Sequence, residues 1–183
     1  MAISCSLNKD LTKKESCGYV LQSVATIYLA NAADVTFNTA EGDTYDVTGV
    51  TLAEGAKWYR IEPAKNTASF NDVLNVTDSG NKYRTHSLSF PVMGTYSPEM
   101  QEALDQFSLG SYFDLAVFAS GDGVLLGTPN AGLEASTVTN AGSATATEAS
   151  GISVEMSRDL TNSAYAFDKA QVDAMTKATE AGA

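Results

Sequence analysis

Basic residues are scarce in this sequence: 11 Lys and Arg stand against 22 Asp and Glu, which gives a formal net charge of −11. The shortage is greatest between Arg84 and Arg158, where 73 consecutive residues contain eight acids and no Lys or Arg. Binding to a phosphate backbone depends on basic side chains that displace counterions, and attraction to anionic membranes depends on the same charges. Nucleic-acid recognition and binding to anionic membrane surfaces are therefore disfavoured.

Cysteine and histidine are also scarce, because Cys5, Cys17 and His86 are the only residues of either type. A closed Cys/His zinc site needs four ligands, so one chain does not supply one. The start of the chain lacks the apolar region of a signal peptide, and we therefore expect both thiols to remain reduced. No apolar run is long enough to predict a transmembrane helix. We predict no cofactor, no metal site and no membrane span.

Candidate catalytic groups are isolated from one another. His86 and Ser87 are neighbours in a predicted strand, so their side chains point to opposite faces of the sheet. Pairs of acids such as Glu99 and Glu102 are typical of a solvated surface. The glycines of Gly121-Asp-Gly123 are not followed by the helix that a phosphate-binding loop requires. We therefore predict that the protein is not an enzyme.

Period-two alternation of apolar and polar residues recurs along the chain and predicts a mainly β fold. The length fits one domain spanning residues 1–183. Within 82–92, the even-numbered residues from Arg84 to Val92 are predicted to share one face, which is apolar toward its end. The predicted strands cover 19–29, a hairpin over 35–50 with its turn at Glu41-Gly42-Asp43, 58–61, 68–73, 82–92, 112–118, 124–126 and 152–156.

One helix carries clear end signals and is predicted over residues 98–109. Ser97 is a favoured N-cap residue, Pro98 is favoured at the first helical position, and Gly110 follows the last turn. Apolar residues recur at helical spacing and predict a face that packs on the sheet. This packing face consists of Met100, Leu104 and Phe107.

The segments after this helix are less uniform. Asp122-Gly123 predicts a tight type I′ turn between two strands. Residues 128–151 are mostly small and polar, so the part from 136 to 150 is either a hairpin or a flexible loop. The termini, 1–17 and 168–183, are predicted to be flexible or to become ordered on assembly. Within the second of these, apolar residues at helical spacing indicate a short helix over about 168–180.

Negative charge is concentrated in the second half of the chain. Residues 1–98 carry a net charge of −2, whereas residues 99–183 carry −9. One interpretation is an acidic half that keeps the protein soluble. The other is a surface that repels polyanions.

Residues 100–156 resemble the tail-tube proteins of tailed bacteriophages. An amphipathic helix leads into a strand over 100–118, and a D-G turn then leads to Leu125-Leu-Gly127. Asn130-Ala-Gly132-Leu133-Glu134 opens a small-residue hairpin, which returns through Gly151-Ile-Ser-Val-Glu-Met156. The N-terminal half adds a compatible β pattern.

This resemblance implies a β-sandwich or half-barrel subunit with one flanking helix, assembled into hexameric rings that stack into a β-barrel-lined tail tube. DNA passes through the lumen during ejection without specific binding. The implied partners are further copies of the chain, other tail proteins and head–tail connector proteins. The implied location is the virion, assembled in the cytoplasm of the host bacterium.

The resemblance also suggests roles for individual segments. Loops 41–46 and 140–147 and both termini would contact neighbouring rings. The acids expected to face the lumen or to lie near it are Asp114, Glu134 and Glu155.

Two other classes of protein remain open. A capsid decoration protein, a tail terminator or a pilin-like subunit would share the Thr/Ala/Ser-rich strands, and it would form discs or caps rather than long tubes. A carbohydrate-binding or hydrolytic β-sandwich is the second alternative, suggested by Trp58, Tyr59 and other tyrosines.

Overall fold

The computed structural model describes residues 23–39, 47–92, 97–142 and 151–180. These residues form eleven strands and two helices, with a short 3-10 turn at Ala32–Asp34. The strands are β1 Val24–Asn31, β2 Val35–Thr39, β3 Val47–Leu52, β4 Tyr59–Ile61, β5 Ser69–Val76, β6 Lys82–Val92, β7 Ser111–Phe118, β8 Gly123–Leu126, β9 Leu133–Ala141, β10 Gly151–Leu160 and β11 Tyr165–Phe167. The helices are α1 Pro98–Leu109 and α2 Lys169–Glu180.

The larger sheet is built around β7, and all of its pairings are antiparallel. On one side β7 pairs with β1, which also pairs with β4. On the other side it pairs with β8, which continues to β11, and with the start of β9. From β9 the sheet continues through β10 and β6 to β5. The smaller sheet is the β2–β3 hairpin, whose predicted turn at 41–43 lies outside the described residues.

Two apolar clusters form the core, one against each part of the larger sheet. The first contains inward side chains of β1, β6, β9 and β10, with α1 packed against it. The second joins β3, β8 and β11 to α2. Trp58 belongs to the second cluster, and its indole N–H donates a hydrogen bond to the Met175 carbonyl oxygen of α2 at 3.0 Å. Burial of apolar surface in these two clusters is the main force that holds α1 and α2 against the strands.

Both helices begin as their sequences predict. Ser97 Oγ accepts a hydrogen bond from the Met100 N–H at 3.2 Å, which satisfies one free donor at the start of α1. Asp168 Oδ1 accepts from the Gln171 N–H at 2.9 Å, and the Gln171 side chain accepts from the Asp168 N–H in return. Among the described residues, neither helix is long and apolar enough to cross a membrane.

The turn between β7 and β8 differs from the predicted type I′ turn. Gly121 has a φ of 93°, whereas Gly123 already belongs to β8. The Gly121 N–H donates to the Phe118 carbonyl oxygen at 2.9 Å, and the Phe118 N–H donates to the Asp122 carbonyl oxygen at 2.8 Å. The connection is therefore a longer loop with a glycine bulge. The Asp122 carboxylate instead accepts a hydrogen bond from the Lys169 N–H at the start of α2, which a two-residue turn would not arrange.

The mainly β fold predicted from the alternation is confirmed. The helix indicated over about 168–180 is observed as α2, which buries Val172 and Met175 in the core, so the single flanking helix implied by the resemblance is incomplete. The predicted hairpin over 136–150 is described only as far as Gly142. The described part belongs mainly to β9, which pairs with β10. The sheets are open along their edges in the single subunit.

Candidate functional site

Four consecutive strands, β9, β10, β6 and β5, present one broad face to solvent. Residues directly opposite each other in antiparallel strands share a face, so the register identifies its members. Across the middle of this face run Thr137, Glu155, Ser89 and Ser69. We call this surface the polar face, and its members are Ser69, Asn71, Val73, Asn75, Tyr83, Thr85, Ser87, Ser89, Pro91, Glu134, Thr137, Thr139, Ser153, Glu155, Ser157 and Asp159.

The polar face is lined mainly by hydroxyl and amide groups that bond across strands. Asn75 Nδ2 donates to Thr85 Oγ1 at 2.8 Å, and Thr85 Oγ1 donates to Asp159 Oδ1 at 2.6 Å. Asn71 Nδ2 lies 3.5 Å from Ser87 Oγ. These contacts hold the side chains in place, and most of the polar face remains hydrated and uncharged.

All the charges assigned to this face by the register are negative. Glu155 and Asp159 are exposed on β10, and Glu134 is exposed at the start of β9. Arg158 belongs to the opposite side by alternation, but its guanidinium reaches the Glu134 carboxylate and the Gly132 carbonyl oxygen. Among the described residues, the polar face therefore has two acids without a basic partner and a third that is paired.

The three acids predicted to face the lumen occupy different environments. Glu155 projects from the centre of the polar face, and Glu134 lies on it in contact with Arg158. Asp114 is fully buried in β7, opposite Leu29 of β1 and Leu126 of β8. Asp114 is therefore not a surface charge of the subunit. Strands on both sides of β7 and the first apolar cluster beneath it account for its burial.

Asp114 is unusual because neither carboxylate oxygen has a hydrogen-bond partner among the residues that the structure describes. Burial raises its pKa well above the ordinary value of 3.8. The pKa of Tyr112, two residues earlier in β7, is also raised, by burial and by the nearby Tyr59 and Asp114. An unpaired buried carboxyl of this kind favours the neutral form and lowers the stability of the fold.

Beneath the polar face, the predicted packing residues of α1 contact the first apolar cluster. Met100, Leu104 and Phe107 are partly buried against it, and the Phe107 ring stacks on Tyr112 with centroids 4.9 Å apart. Between α1 and the inner side of the sheet lies an apolar cleft of about 320 Å³. We call the sheet of β5, β6, β9 and β10 the polar sheet, because it carries the polar face. Helix α1 packs on the inner side of the polar sheet and takes no part in the polar face.

A buried polar cluster anchors β5 and β6 to the rest of the protein. His86 is fully buried, its Nδ1 accepts from the Gly127 N–H at 3.1 Å, and its Nε2 lies 3.0 Å from the Asn162 carbonyl oxygen. These partners assign a neutral ring with the proton on Nε2. Asp72 Oδ1 accepts from Arg84 Nε at 2.6 Å and lies 3.5 Å from His86 Nε2.

The same environment changes the acid–base properties of this cluster. Burial lowers the pKa of His86 below 6.5, although the nearby Asp72 carboxylate and the bond to Asn162 act in the opposite direction. For Asp72, burial acts to raise the pKa, but hydrogen bonds from Arg84 and from the Ala164 N–H, with the adjacent charges, leave it lowered. This geometry indicates a structural role for His86, since each ring nitrogen has a backbone partner.

The sheet of the polar face ends in two free edges. Among the described residues, β5 pairs only with β6, and β9 pairs with β7 only at Leu133 and Glu134. Three apolar side chains lie exposed on β5, at 49% for Val73, 52% for Leu74 and 59% for Val76. Long, flat and apolar sheet edges are normally protected in proteins, because they pair readily with other strands.

Features expected of an enzyme or a sugar-binding protein are weak in the described residues. They contain no group of three or more His, Cys, Asp or Glu side chains that is arranged to hold a metal ion. Trp58 is only 1% exposed and packs edge-on against Tyr28, so it offers no face for a sugar ring. Tyr59 is exposed, with Lys57 Nζ 5.3 Å from its ring centre. Cys5 and Cys17 lie outside the described residues.

Two parts of the site escaped the sequence analysis. Asp159 was not selected, although the alternation of Ser153, Glu155 and Ser157 continues to it and would have placed it on the same face. The partners of His86 lie 41 and 76 positions away in the sequence, so no local pattern indicated them.

A comparison with protein-family models finds no match, and comparisons with curated proteins and with solved structures find none either. What the protein does must therefore be inferred from its own residues.

Proposed function

We propose that this protein is a structural subunit of a phage tail tube, and that the polar face of β5, β6, β9 and β10 lines the DNA-conducting lumen. The observation that carries the proposal is the composition of that face: hydroxyl and amide side chains with unpaired acids and, in the described residues, no basic member. Without basic groups to replace counterions, DNA phosphates gain little by binding there. Such a surface lets DNA slide.

Glu155 and Asp159 supply the repulsive charge in this proposal. Both are exposed on β10, and copies of the subunit around a ring would repeat each charge at the same height. Glu134 contributes less, because Arg158 neutralises it. Asp114 is buried inside the subunit, so it does not face the lumen in this proposal.

The two free edges support assembly into a closed ring. A sheet that is open at both ends leaves backbone donors and acceptors unpaired, and closure into a barrel pairs them all. We propose hexameric rings that stack into a tube, in accordance with the resemblance of residues 100–156 to tail-tube proteins. Loops 41–46 and 140–147 and both termini would then contact the next ring, and other tail and head–tail connector proteins would cap the tube. The tube would belong to the virion and be assembled in the host bacterial cytoplasm.

Electron microscopy of negatively stained protein over a concentration series tests this proposal, with the mass measured by light scattering. We expect hollow rings or stacked tubes with sixfold end views. A compact dimer or trimer at every concentration would contradict the tube.

A second candidate is another virion or surface assembly protein, such as a capsid decoration protein, a tail terminator or a pilin-like subunit. The exposed apolar edge at Val73, Leu74 and Val76 would suit any of these, since each assembles through its surface. Single discs, caps or solid fibres in the micrographs would favour this class. Carbohydrate binding is a weaker candidate because Trp58 is buried.

A further inference from the structure

The two free edges of the polar sheet belong to strands of similar length. β5 spans eight residues, Ser69–Val76, and its pairing with β6 runs without a register shift. On the other side of the sheet, residues 135–141 of β9 pair only with β10 within the described part of the chain, and most of their side chains are exposed. Helix α1 lies against β9, where it packs on the inner cluster. Each subunit thus offers one strand edge at either side.

We propose that β5 of one subunit pairs antiparallel with residues 135–141 of β9 in a second copy of the chain. This pairing rests on the proposed function for its biological purpose, but it follows from the strand geometry alone. It would continue the polar sheet from subunit to subunit around a ring.

The polarity of the strands fits this pairing. β9, β10, β6 and β5 each run antiparallel to their neighbour, so β9 and β5 run in opposite directions. Rotation about a ring axis leaves the direction of every strand along that axis unchanged. β5 of one copy therefore meets β9 of the next in the antiparallel sense, which is the more stable pairing.

The offset between the two edges fits a closed barrel. Val138, near the centre of the free part of β9, is level with Val154 and Phe90, whereas the centre of β5 at Asp72 and Val73 is level with His86 and Thr85. The two centres are offset by about four or five residues, which corresponds to ~15 Å along the strands. The four strand spacings from β9 of one subunit to β9 of the next measure ~19 Å across the strands. Pairing centre to centre then tilts the strands by roughly 35–40°, which lies in the range for barrels.

The alternation of side chains fixes the register further. Odd-numbered residues of β5 and Thr137 and Thr139 of β9 belong to the polar face, so odd positions must meet odd positions. The central register places Val73 opposite Thr137 and Asn71 opposite Thr139. It also brings Leu74 over the inner side of the neighbouring β9, near Val138. The exposed Leu74 side chain would thereby be covered.

Disulfide trapping tests the pairing in a chain with Cys5→Ser and Cys17→Ser. A chain carrying both Val73→Cys and Thr137→Cys should form a ladder of covalent oligomers on oxidation. An equimolar mixture of the two single variants should give dimers only. Leu74→Cys combined with Thr137→Cys is the matched control, since these residues lie on opposite faces, and it should remain largely uncrosslinked.

Each outcome has a definite meaning. Dimers formed by Val73→Cys alone would indicate pairing of β5 with β5 and would overturn the proposal. It would also be overturned if Val73/Thr137 and Asn71/Thr139 both failed to cross-link at high protein concentration. If rings or tubes were seen nonetheless, the tube function would survive without this pairing. A covalent ladder without rings or tubes would support the pairing and contradict the tube.

A charge variant gives an independent test that does not depend on disulfide geometry. Leu74→Lys should raise the concentration needed for assembly by at least about tenfold while leaving the melting temperature of the monomer unchanged. Leu109→Lys is the matched control, because Leu109 is 91% exposed at the end of α1 and belongs to neither edge strand. Equal assembly of the two variants would overturn the proposal.

Discussion

His86 Nδ1 accepts a hydrogen bond from the backbone N–H of Gly127 across 3.1 Å in the interior of the protein. The bond joins β6 to the loop that follows β8, and the Nε2–H of the same ring donates to the Asn162 carbonyl oxygen after β10. A protonated ring would carry a hydrogen on Nδ1 and would lose the bond to Gly127. His86 therefore links β6 to the loop after β8 and to the segment after β10, and its ring must stay neutral to keep the bond to Gly127.

Acid should destabilise the protein through His86. Because burial lowers its pKa in the folded state, the unfolded chain takes up the proton first as the pH falls through about 6.5. The stabilisation is complete above that pH and is lost as the pH falls toward the folded-state pKa, by up to about 1.4 kcal/mol per pH unit. Denaturant unfolding from pH 7.5 to 5 measures the loss.

The variant His86→Gln separates this effect from other titrations. We expect it to be less stable at pH 7 by about 1–3 kcal/mol, because buried backbone groups lose a partner. Its free energy of unfolding should also depend less on pH between 7 and 5 than that of the wild type. Identical pH profiles would show that another group is responsible.

Replacing Asp114 should stabilise the protein. The carboxyl is buried without a partner, so Asp114→Val should increase the free energy of unfolding at pH 7 by about 1–3 kcal/mol. The isosteric Asp114→Asn tests the role of ionisation. Its advantage over the wild type should be absent below pH 3.8 and should grow as the pH rises toward the elevated pKa of the folded state. A loss of stability in both variants at pH 7 would mean that the carboxylate has a favourable role.

Under the proposed function, reversing the charge of the polar face should make the assembled protein retain DNA. The double variant Glu155→Lys/Asp159→Lys replaces two negative charges with two positive ones at exposed positions on β10, which changes the net charge of each subunit by +4. Retention should decrease as salt increases, because the binding would depend on counterion release. Co-sedimentation of short duplex DNA with assembled protein at two salt concentrations measures it.

Glu54→Lys is the control for this experiment, since Glu54 is exposed between β3 and β4 and lies outside the polar face. It should bind no more DNA than the wild type. Equal DNA binding by the control and the double variant would contradict the assignment of the polar face to the lumen. Glu134→Lys removes the partner of Arg158 in a salt bridge. It should therefore increase DNA binding less than Glu155→Lys does only if the released Arg158 side chain moves away from the polar face.

The N-cap of α1 should contribute measurably to stability. Ser97→Ala removes the acceptor for the Met100 N–H and should cost about 1 kcal/mol. Ser97→Asp retains an acceptor and should preserve stability. Thermal unfolding of the two variants provides the comparison, and equal melting temperatures would mean that solvent caps the helix equally well.

Local patterns in the sequence predicted most of the elements. The alternation over 82–92 gave β6 with its buried face, and Ser97, Pro98 and Gly110 gave the bounds of α1. These signals succeed because strand alternation and helix capping depend on neighbours within a few positions. The turn after β7 was predicted wrongly, since Asp122 bonds to a residue 47 positions away and Gly121 adopts the left-handed conformation instead.

The sequence by itself determined the mainly β character, the position of α1 and the long base-free segment between Arg84 and Arg158. Only the tertiary structure decided which acids of that segment lie at the surface. Asp114 and Glu155 are both acids in strands of similar composition, yet β7 has neighbours and core on every side while β10 has one face open to solvent. Burial depends on how strands pair across the whole chain, and sequence alternation indicates two faces without indicating which of them a distant element will cover.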